Sequence, residues 1–479
     1  MASNTTTTPG FYPTEKLRAI ATGALGWPSA EDATHDYPYS GCLLESFMVD
    51  RRFFPGQEKL LSITLLGAFA GLLSGAAVLL FRFTIDAGQA VLLPGGKVGN
   101  YEALPPSVRF ALPIVGALLL GFFLHWVPKR TRQVGVVHVL DRFWSPNQTA
   151  VLPLGNALTQ FATGSLAIVS GHSIDREGPG VHLGAAAASL LGQRFGVAQE
   201  DLRTLVACGM AASIAAAFNT PLAGVVFVVE VIRVRYSVPR FMPVLLAAVV
   251  GGVIAQAFYG PTPAFEVLPV KLASLSELPS LALLGLLIGL LAAAFVALCE
   301  WIAERSREWP ILPAMALAGA ITGTMALWVP AIMGVGYDTL DNILRADFCL
   351  GTLLTIVACK LVATAAAIGL RVPGGLIGPT ILMGAAAGAA WGLVAELTPL
   401  GQLGSPSFYA MIGMAAMMGA ALRAPLAALI ALLELTANPN IILPGLLALV
   451  CADGVARTVL GRDSVFFSLL KVQPSHGRT

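Results

Sequence analysis

The stretch Ser173-Ile174-Asp175-Arg176-Glu177-Gly178-Pro179 has an echo at Gly375-Leu376-Ile377-Gly378-Pro379, at an offset of 200 residues. In both, a Gly-Pro step opens an apolar run rich in Ala and Gly. Gly184-Ala185-Ala186-Ala187 and Gly192 recur as Gly384-Ala385-Ala386-Ala387 and Gly392. Further on the offset becomes 204: Gly209-Met210-Ala211-Ala212 recurs as Gly413-Met414-Ala415-Ala416, Pro221-Leu222-Ala223 as Pro425-Leu426-Ala427, and Glu230 as Glu434. Ala and Gly matches alone mean little in an apolar chain. Two Gly-Pro steps and two Pro-Leu-Ala steps in register mark an internal repeat.

The repeat sits in a chain made for lipid. Of 479 residues, 56% are hydrophobic and only 12% charged, with a mean hydropathy of +0.76. A soluble domain carries about 25% charged residues. Long apolar segments at 60–82, 110–127, 241–258, 281–303, 311–333 and 350–370 each approach the ~20 residues that cross a bilayer. Between and after them lie shorter pieces broken by Gly and Pro: 156–170, 180–195, 203–218, 221–232, 375–395, 407–422, 425–436 and 441–460. Such pieces are tolerated at membrane depth only when buried in protein or lining a cavity. The expected class is an all-α, multi-pass integral membrane protein whose surroundings are membrane lipid.

Three regions are expected. Residues 1–58 form a polar N-terminal arm, and 59–470 a transmembrane domain with halves at about 59–258 and 275–470. Residues 471–479 are a short tail, with no soluble regulatory domain. Lys16, Arg18, Arg51, Arg52 and Lys59 precede the first span, and Arg457, Arg462, Lys471 and Arg478 lie around or after the last. By the positive-inside rule both termini face the cytoplasm, most simply across a plasma (inner) membrane.

Several classes are excluded or disfavoured. The 29 Lys and Arg are scattered, with no basic run interleaved with aromatics, so no nucleic-acid partner is expected. The six cysteines show no CxxC spacing and read as small apolar packing residues. HExxH and GxxxxGK[ST] are missing too. His172 and Ser173 are adjacent, hence about 100° apart on a helix, which does not make a nucleophile and its base. No enzyme activity, cofactor or metal is expected.

Transporters are often two such halves, inverted in the membrane, with substrate held near the midplane between broken helices. The positive N-terminal end of a helix suits an anion. Two anion-facing helix starts are therefore expected, at 177–180 and 376–380. A charge near the membrane centre costs at least ~2.5–3.5 kcal/mol, so Glu177 is a functional candidate by default. Two uses fit it. As a tethered anion it can occupy the seat of a permeating one and leave when protonated. As a helix cap it can pair with Arg176. Its repeat twin is apolar Ile377, so a gate is expected on one side only. Lys360 and Arg371 flank one apolar segment and are expected to snorkel to the interface.

At these residues the chain resembles the CLC family of chloride channels and proton-coupled chloride transporters. Arg176-Glu177-Gly178-Pro179 is similar to the family's GREGP motif. Phe218-Asn219-Thr220-Pro221-Leu222-Ala223-Gly224, leading to Glu230, resembles the stretch downstream of it. Gly375 to Pro379 resembles the GIFAP-type motif, and Arg423-Ala424-Pro425-Leu426 through Glu434-Leu435-Thr436 the later repeat segment. The resemblance covers roughly residues 60–470. It implies a CLC-like fold of two inverted-topology repeats with broken, tilted helices meeting at the midplane. It implies a homodimer with one chloride-type anion path per subunit, and Glu177 as the external gating glutamate. Backbone amides near Gly178 and at Leu376, Ile377 and Gly378 would bind the anion, with Arg176 beside them.

Departures from the family pattern shape the functional expectation. The motif's first glycine is Asp175 here, a candidate ion-pair partner of Arg176. The family's GSGIP motif falls on Gln133-Val134-Gly135-Val136-Val137, so Val134 replaces the serine that touches the central anion, beside Gly135 and Val136. The tyrosine that shares that task falls on Phe467. A shifted register would instead supply Thr131 or Gln133 as donor. Each lost hydrogen bond to a charged group weakens binding by roughly 1–3 kcal/mol. Coupled relatives often carry an inward-facing glutamate directly after the position of Glu230, and here it is Val231. Glu230 itself has a twin in Glu434 and Arg233 within helical reach, so it reads as structural. The expectation is an uncoupled, channel-like conductor, with a proton-coupled antiporter or a fluoride- or nitrate-selective variant as the alternative. An intramembrane enzyme is a remote third.

Overall fold

A computed structural model describes residues 57–144, 150–233, 238–262, 265, 271–345, 347–396 and 404–472. Nearly all of the expected N-terminal arm, Cys42 within it, and nearly all of the C-terminal tail lie outside the described residues. The chain divides between Gln57 and Glu58 into two units, and apart from Gln57 the described residues lie in the second, Glu58–Thr479.

The first half runs through α1 (Gln57–Leu92), α2 (Pro106–Trp126), α3 (Gly135–Trp144), α4 (Leu154–Val169), α5 (Glu177–Arg194), α6 (Gln199–Phe218), α7 (Pro221–Val231) and α8 (Val238–Tyr259). The second half repeats that order as α9 (Leu278–Ser306), α10 (Ile311–Trp328), α11 (Tyr337–Leu344), α12 (Leu350–Gly369), α13 (Ile377–Glu396), α14 (Pro406–Leu422), α15 (Pro425–Thr436) and α16 (Ile442–Gly454). A π-helical turn at Val455–Val459 follows, then α17 (Val465–Val472), which has no counterpart among the described residues of the first half. Among the described residues, nine helices are long and apolar enough to cross a membrane. They include Gln199–Phe218, Ile377–Glu396 and Pro439–Val459, which the sequence placed among the pieces broken by Gly and Pro. The first turn of α6 carries Glu200 and Asp201, so its helix is longer than its apolar run.

Backbone conformation repeats with the elements. Left-handed residues occur in matching pairs: Gly135 and Gly336 at the starts of α3 and α11, Gly171 and Arg371 after α4 and α12, and Asn219 and Arg423 after α6 and α14. The matched glycines of the sequence are the helix crossings. A Cβ at Gly209 would strike the carbonyl of Gly184, where α6 crosses α5, and a Cβ at Gly413 would strike that of Gly384, where α14 crosses α13. In lipid, where burial of apolar surface drives nothing between helices, such close approach supplies the dispersion that holds them together. Asp175 and Gly375, equivalent residues, pair their backbones antiparallel, each N–H donating to the other's carbonyl at 3.1 Å. Reciprocal pairing of equivalents is what two inverted repeats produce where their axis passes.

The outer faces are apolar: Leu61, Phe69, Phe83 and Trp126 are all more than half exposed. Polar groups turn inward. Lys360 departs from the expectation that it snorkels. It is fully buried, and its Nζ donates to the carbonyls of Ile332 and Gly334, each at 3.0 Å. The turn before α11 leaves those carbonyls without helical partners, and an ammonium satisfies both at once. Arg371 is exposed, and its Nη2 donates to the Trp309 carbonyl at 2.7 Å. The five described cysteines are free, with Cys208 and Cys299 buried.

Candidate anion site

The site is built where α5 and α13 begin. After α4 the chain turns at Gly171 and re-enters the protein, held by Ser173 and Thr364: their hydroxyls lie 3.0 Å apart and Thr364 Oγ1 donates to the Ser173 carbonyl. Backbone pairing with Gly375 then fixes Asp175. The starts of α5 and α13 thus meet head to head. Gly178 has no room for a side chain, because a Cβ there would lie 2.6 Å from Gly375 Cα.

Helix starts expose N–H groups without partners. Here those groups converge on one carboxylate, that of Asp175. Its Oδ1 accepts from the amides of Glu177 (2.9 Å) and Gly178 (3.1 Å), and its Oδ2 accepts from Gly378 across the repeat boundary at 2.6 Å. The side chain has room because its twin is glycine: a Cβ at Gly375 would collide with the Asp175 carboxylate. Asp175 is fully buried and makes no ion pair with Arg176, which corrects the expected pairing.

Glu177 lies beside this seat and does not occupy it. Its carboxylate is buried, and neither oxygen has a well-formed hydrogen bond, although the Tyr337 hydroxyl is near enough to interact. Its nearest cation is Arg176, whose Nε lies 3.5 Å from Oε1. It therefore does not cap its own helix, and Asp175 does so. Hydrogen bonds to a charged group are worth about 1.5–3 kcal/mol each. Three against none makes Asp175, in this conformation, the better placed occupant.

Arg176 faces outward into a vestibule of about 550 Å³ lined by Arg82, Asp86, Gln89, Asn219, Tyr259 and Tyr337 among others. Its guanidinium lies 3.5 Å from Asp86 and 5.5 Å from the centre of the Tyr337 ring. Phe218 and Phe265 contact that ring and narrow the floor. Beyond Phe218 the space pinches to a small apolar cleft lined by Ile377, Phe227, Met418 and Leu435. Leu376, Ile377 and Gly378 are buried at the head of α13, and of the three only the Gly378 amide reaches the Asp175 carboxylate.

The remaining expected residues form a second cluster. Val134 and Gly135 are half-buried and Val136 is buried, at the start of α3. Gly135 faces the Gln160 side chain of α4, a buried amide with no hydrogen-bond partner among the described residues. Phe467, half-buried on α17, lies under the Arg233 guanidinium at 4.2 Å, and α17 packs on α3. Arg233 pairs with Asp463 at 3.2 Å, not with Glu230. Val231 is buried and apolar. A contact that the sequence did not signal joins α3 to α5: His138 Nδ1 and His182 Nε2 lie 3.0 Å apart, with Arg142 Nε 3.4 Å from His138. The two histidines come from segments 44 residues apart, so only packing makes them a pair. For Asp175 a signal existed, a carboxylate in one repeat opposite a glycine in the other.

Comparison with known proteins bears on the family and the fold. The voltage gated chloride channel family matches residues 116–457. A ClcB-like chloride channel protein of Ralstonia nicotianae is 32% identical over 384 residues, 78% of this chain and 87% of that one. The H+/Cl− exchange transporter ClcA of Vibrio parahaemolyticus is 28% identical over 425 residues, 85% of this chain and 89% of that one. Among solved structures, a slow cyanobacterial Cl−/H+ antiporter superposes with a TM-score of 0.73 at 22% identity, over 85% of this chain and 97% of that one.

Proposed function

Because the chain belongs to the voltage gated chloride channel (CLC) family, we propose that it conducts chloride or a similar anion, channel-like and without obligatory proton coupling, with Glu177 as gate. The observation that carries the uncoupled reading is at the end of α7. Val231 is buried and apolar, and both oxygens of the neighbouring Glu230 are engaged by the amides of Leu426 and Ala427. Neither position offers a free carboxylate to carry a proton.

The path runs from the vestibule past Arg176 and Glu177 to the seat between α5 and α13, then towards the starts of α3 and α17. On this reading Val134, Gly135, Val136 and Phe467 border the inner end of the path. The protein works as a homodimer, one path per subunit, joined through the faces of α7 and α15 where Leu222 and Leu426 are exposed at twin positions. It sits in the plasma (inner) membrane with both termini in the cytoplasm, residues 59–470 forming the transport domain. Purified protein in liposomes tests this: chloride efflux above empty liposomes supports conduction, and a chloride gradient that fails to drive protons uphill supports the uncoupled form.

One observation favours a second reading, proton-coupled exchange. The His138–His182 pair links the α3 cluster to the helix that starts at Glu177. A neutral imidazole can accept a proton at one ring nitrogen and release one from the other, so two rings in contact can pass a proton along. Uphill proton movement driven by chloride, abolished in His182→Gln, would select that reading.

A further inference from the structure

We propose that Asp175 is a built-in anion: its carboxylate holds the seat between the two repeats, and a permeating anion must displace it as well as pass Glu177. The inference rests on the anion-conduction reading and adds a second, shorter gate to it.

The seat is defined by donors from both halves. Glu177 and Gly178 contribute amides from the start of α5, and Gly378 one from the start of α13. All three donate to one carboxylate, at 2.9, 3.1 and 2.6 Å. A halide needs the same things, convergent N–H donors and the positive ends of two helices. The Asp175 backbone cannot leave, being paired to Gly375 through both its N–H and its carbonyl. Only rotation of its side chain can free the amides. The device exists in one half only, since the equivalent residue is Gly375, and the absence of a Cβ there makes the room the carboxylate fills. Glu177 fits the companion role. It is buried two residues along the chain from Asp175, without a well-formed hydrogen bond, and its nearest cation is Arg176, which lines the vestibule.

The tethered carboxylate keeps resting occupancy of the seat by free anion low. Removing it exposes three amides at once. Neutralising it to Asn leaves an oxygen for the Glu177 and Gly178 amides but turns an amide group towards Gly378 N–H, so that donor is released.

The test uses the full chain, as wild type, Asp175→Gly and Asp175→Asn, each also in a Glu177→Gln background so that Glu177 cannot take the vacated seat. Chloride and bromide are titrated by calorimetry in detergent, and chloride efflux is measured from liposomes. Asp175→Gly is expected to bind chloride at least about tenfold more tightly than wild type, with Asp175→Asn between the two and efflux altered in step. A folded Asp175→Gly protein with wild-type chloride affinity in both backgrounds overturns the proposal. If the glycine variant does not fold, unchanged affinity in Asp175→Asn overturns it equally. Wild type that conducts no chloride above empty liposomes sinks the conduction reading instead, and the calorimetric comparison then decides the seat by itself.

Discussion

Glu230 and Glu434 cap each other's helices. Glu230 accepts from the amides of Leu426 and Ala427 at 3.0 and 2.8 Å, at the start of the helix that carries Glu434. Glu434 accepts from Leu222 and Ala223 at 3.1 and 2.8 Å, at the start of the helix that carries Glu230. Both helices begin at proline, and neither Thr220 nor Ala424 offers a side-chain cap. Each glutamate therefore satisfies donors its partner helix leaves open. Glu230→Ala should lower stability by about 3 kcal/mol, from two bonds to a charged acceptor, and Glu434→Ala by a similar amount. Thermal unfolding in detergent measures this; a Glu230 variant of undiminished stability but altered proton movement would make Glu230 a carrier and not a cap.

Glu177→Gln should flatten the pH dependence of chloride efflux. The variant keeps the shape of the protonated carboxyl and cannot ionise. Efflux from liposomes across a pH series checks it, and an unaltered profile would remove Glu177 from the gating role.

Acid should not act through the Arg233 contact. Partial burial pushes the Asp463 carboxyl up, but the Ser464 amide and the Lys471 and Arg233 charges outweigh it and hold the group below the usual carboxylate range. A depressed value means the contact is complete above the ordinary pKa near ~4 and is lost only as pH falls through the lower one. Asp463→Asn should therefore leave the shape of the efflux profile between about pH 5 and 8 unchanged. A profile that shifts in that window would mean that Asp463 ionises there and that its contacts do not hold it below the usual range.

Val134→Ser or Phe467→Tyr should strengthen chloride binding by about tenfold, each adding one hydroxyl donor. Calorimetry in detergent reads this directly. If neither hydroxyl changes affinity, the starts of α3 and α17 do not touch the anion.

Lys360→Met should cost about 3 kcal/mol, because it strips two buried carbonyls, Ile332 and Gly334, of their donor. The turn they form leads into Gly336 and Tyr337 on the vestibule wall, so efflux should fall with stability. A variant as stable as wild type would show that water serves those carbonyls.

Periodicity and composition, legible along the chain, set one part of this protein. Apolar runs of bilayer length required helices in lipid. The twin Gly-Pro and Pro-Leu-Ala steps required two like halves, and the glycines at 184, 209, 384 and 413 proved to be the crossings because no larger residue fits them. The costly charge at Glu177 was visible for the same reason, since local composition states what a membrane must tolerate. Which group satisfies which was settled only by packing in three dimensions. Asp175 looked like a partner for Arg176, its neighbour in sequence, yet it reaches a donor 203 residues away, at Gly378. Glu230 looked like a partner for Arg233 and caps a helix 196 residues on. Lys360 looked like an interfacial snorkel and is a buried clasp. In each case the partner is a backbone group, which no sequence pattern marks. Its availability depends only on where a helix or turn ends in space.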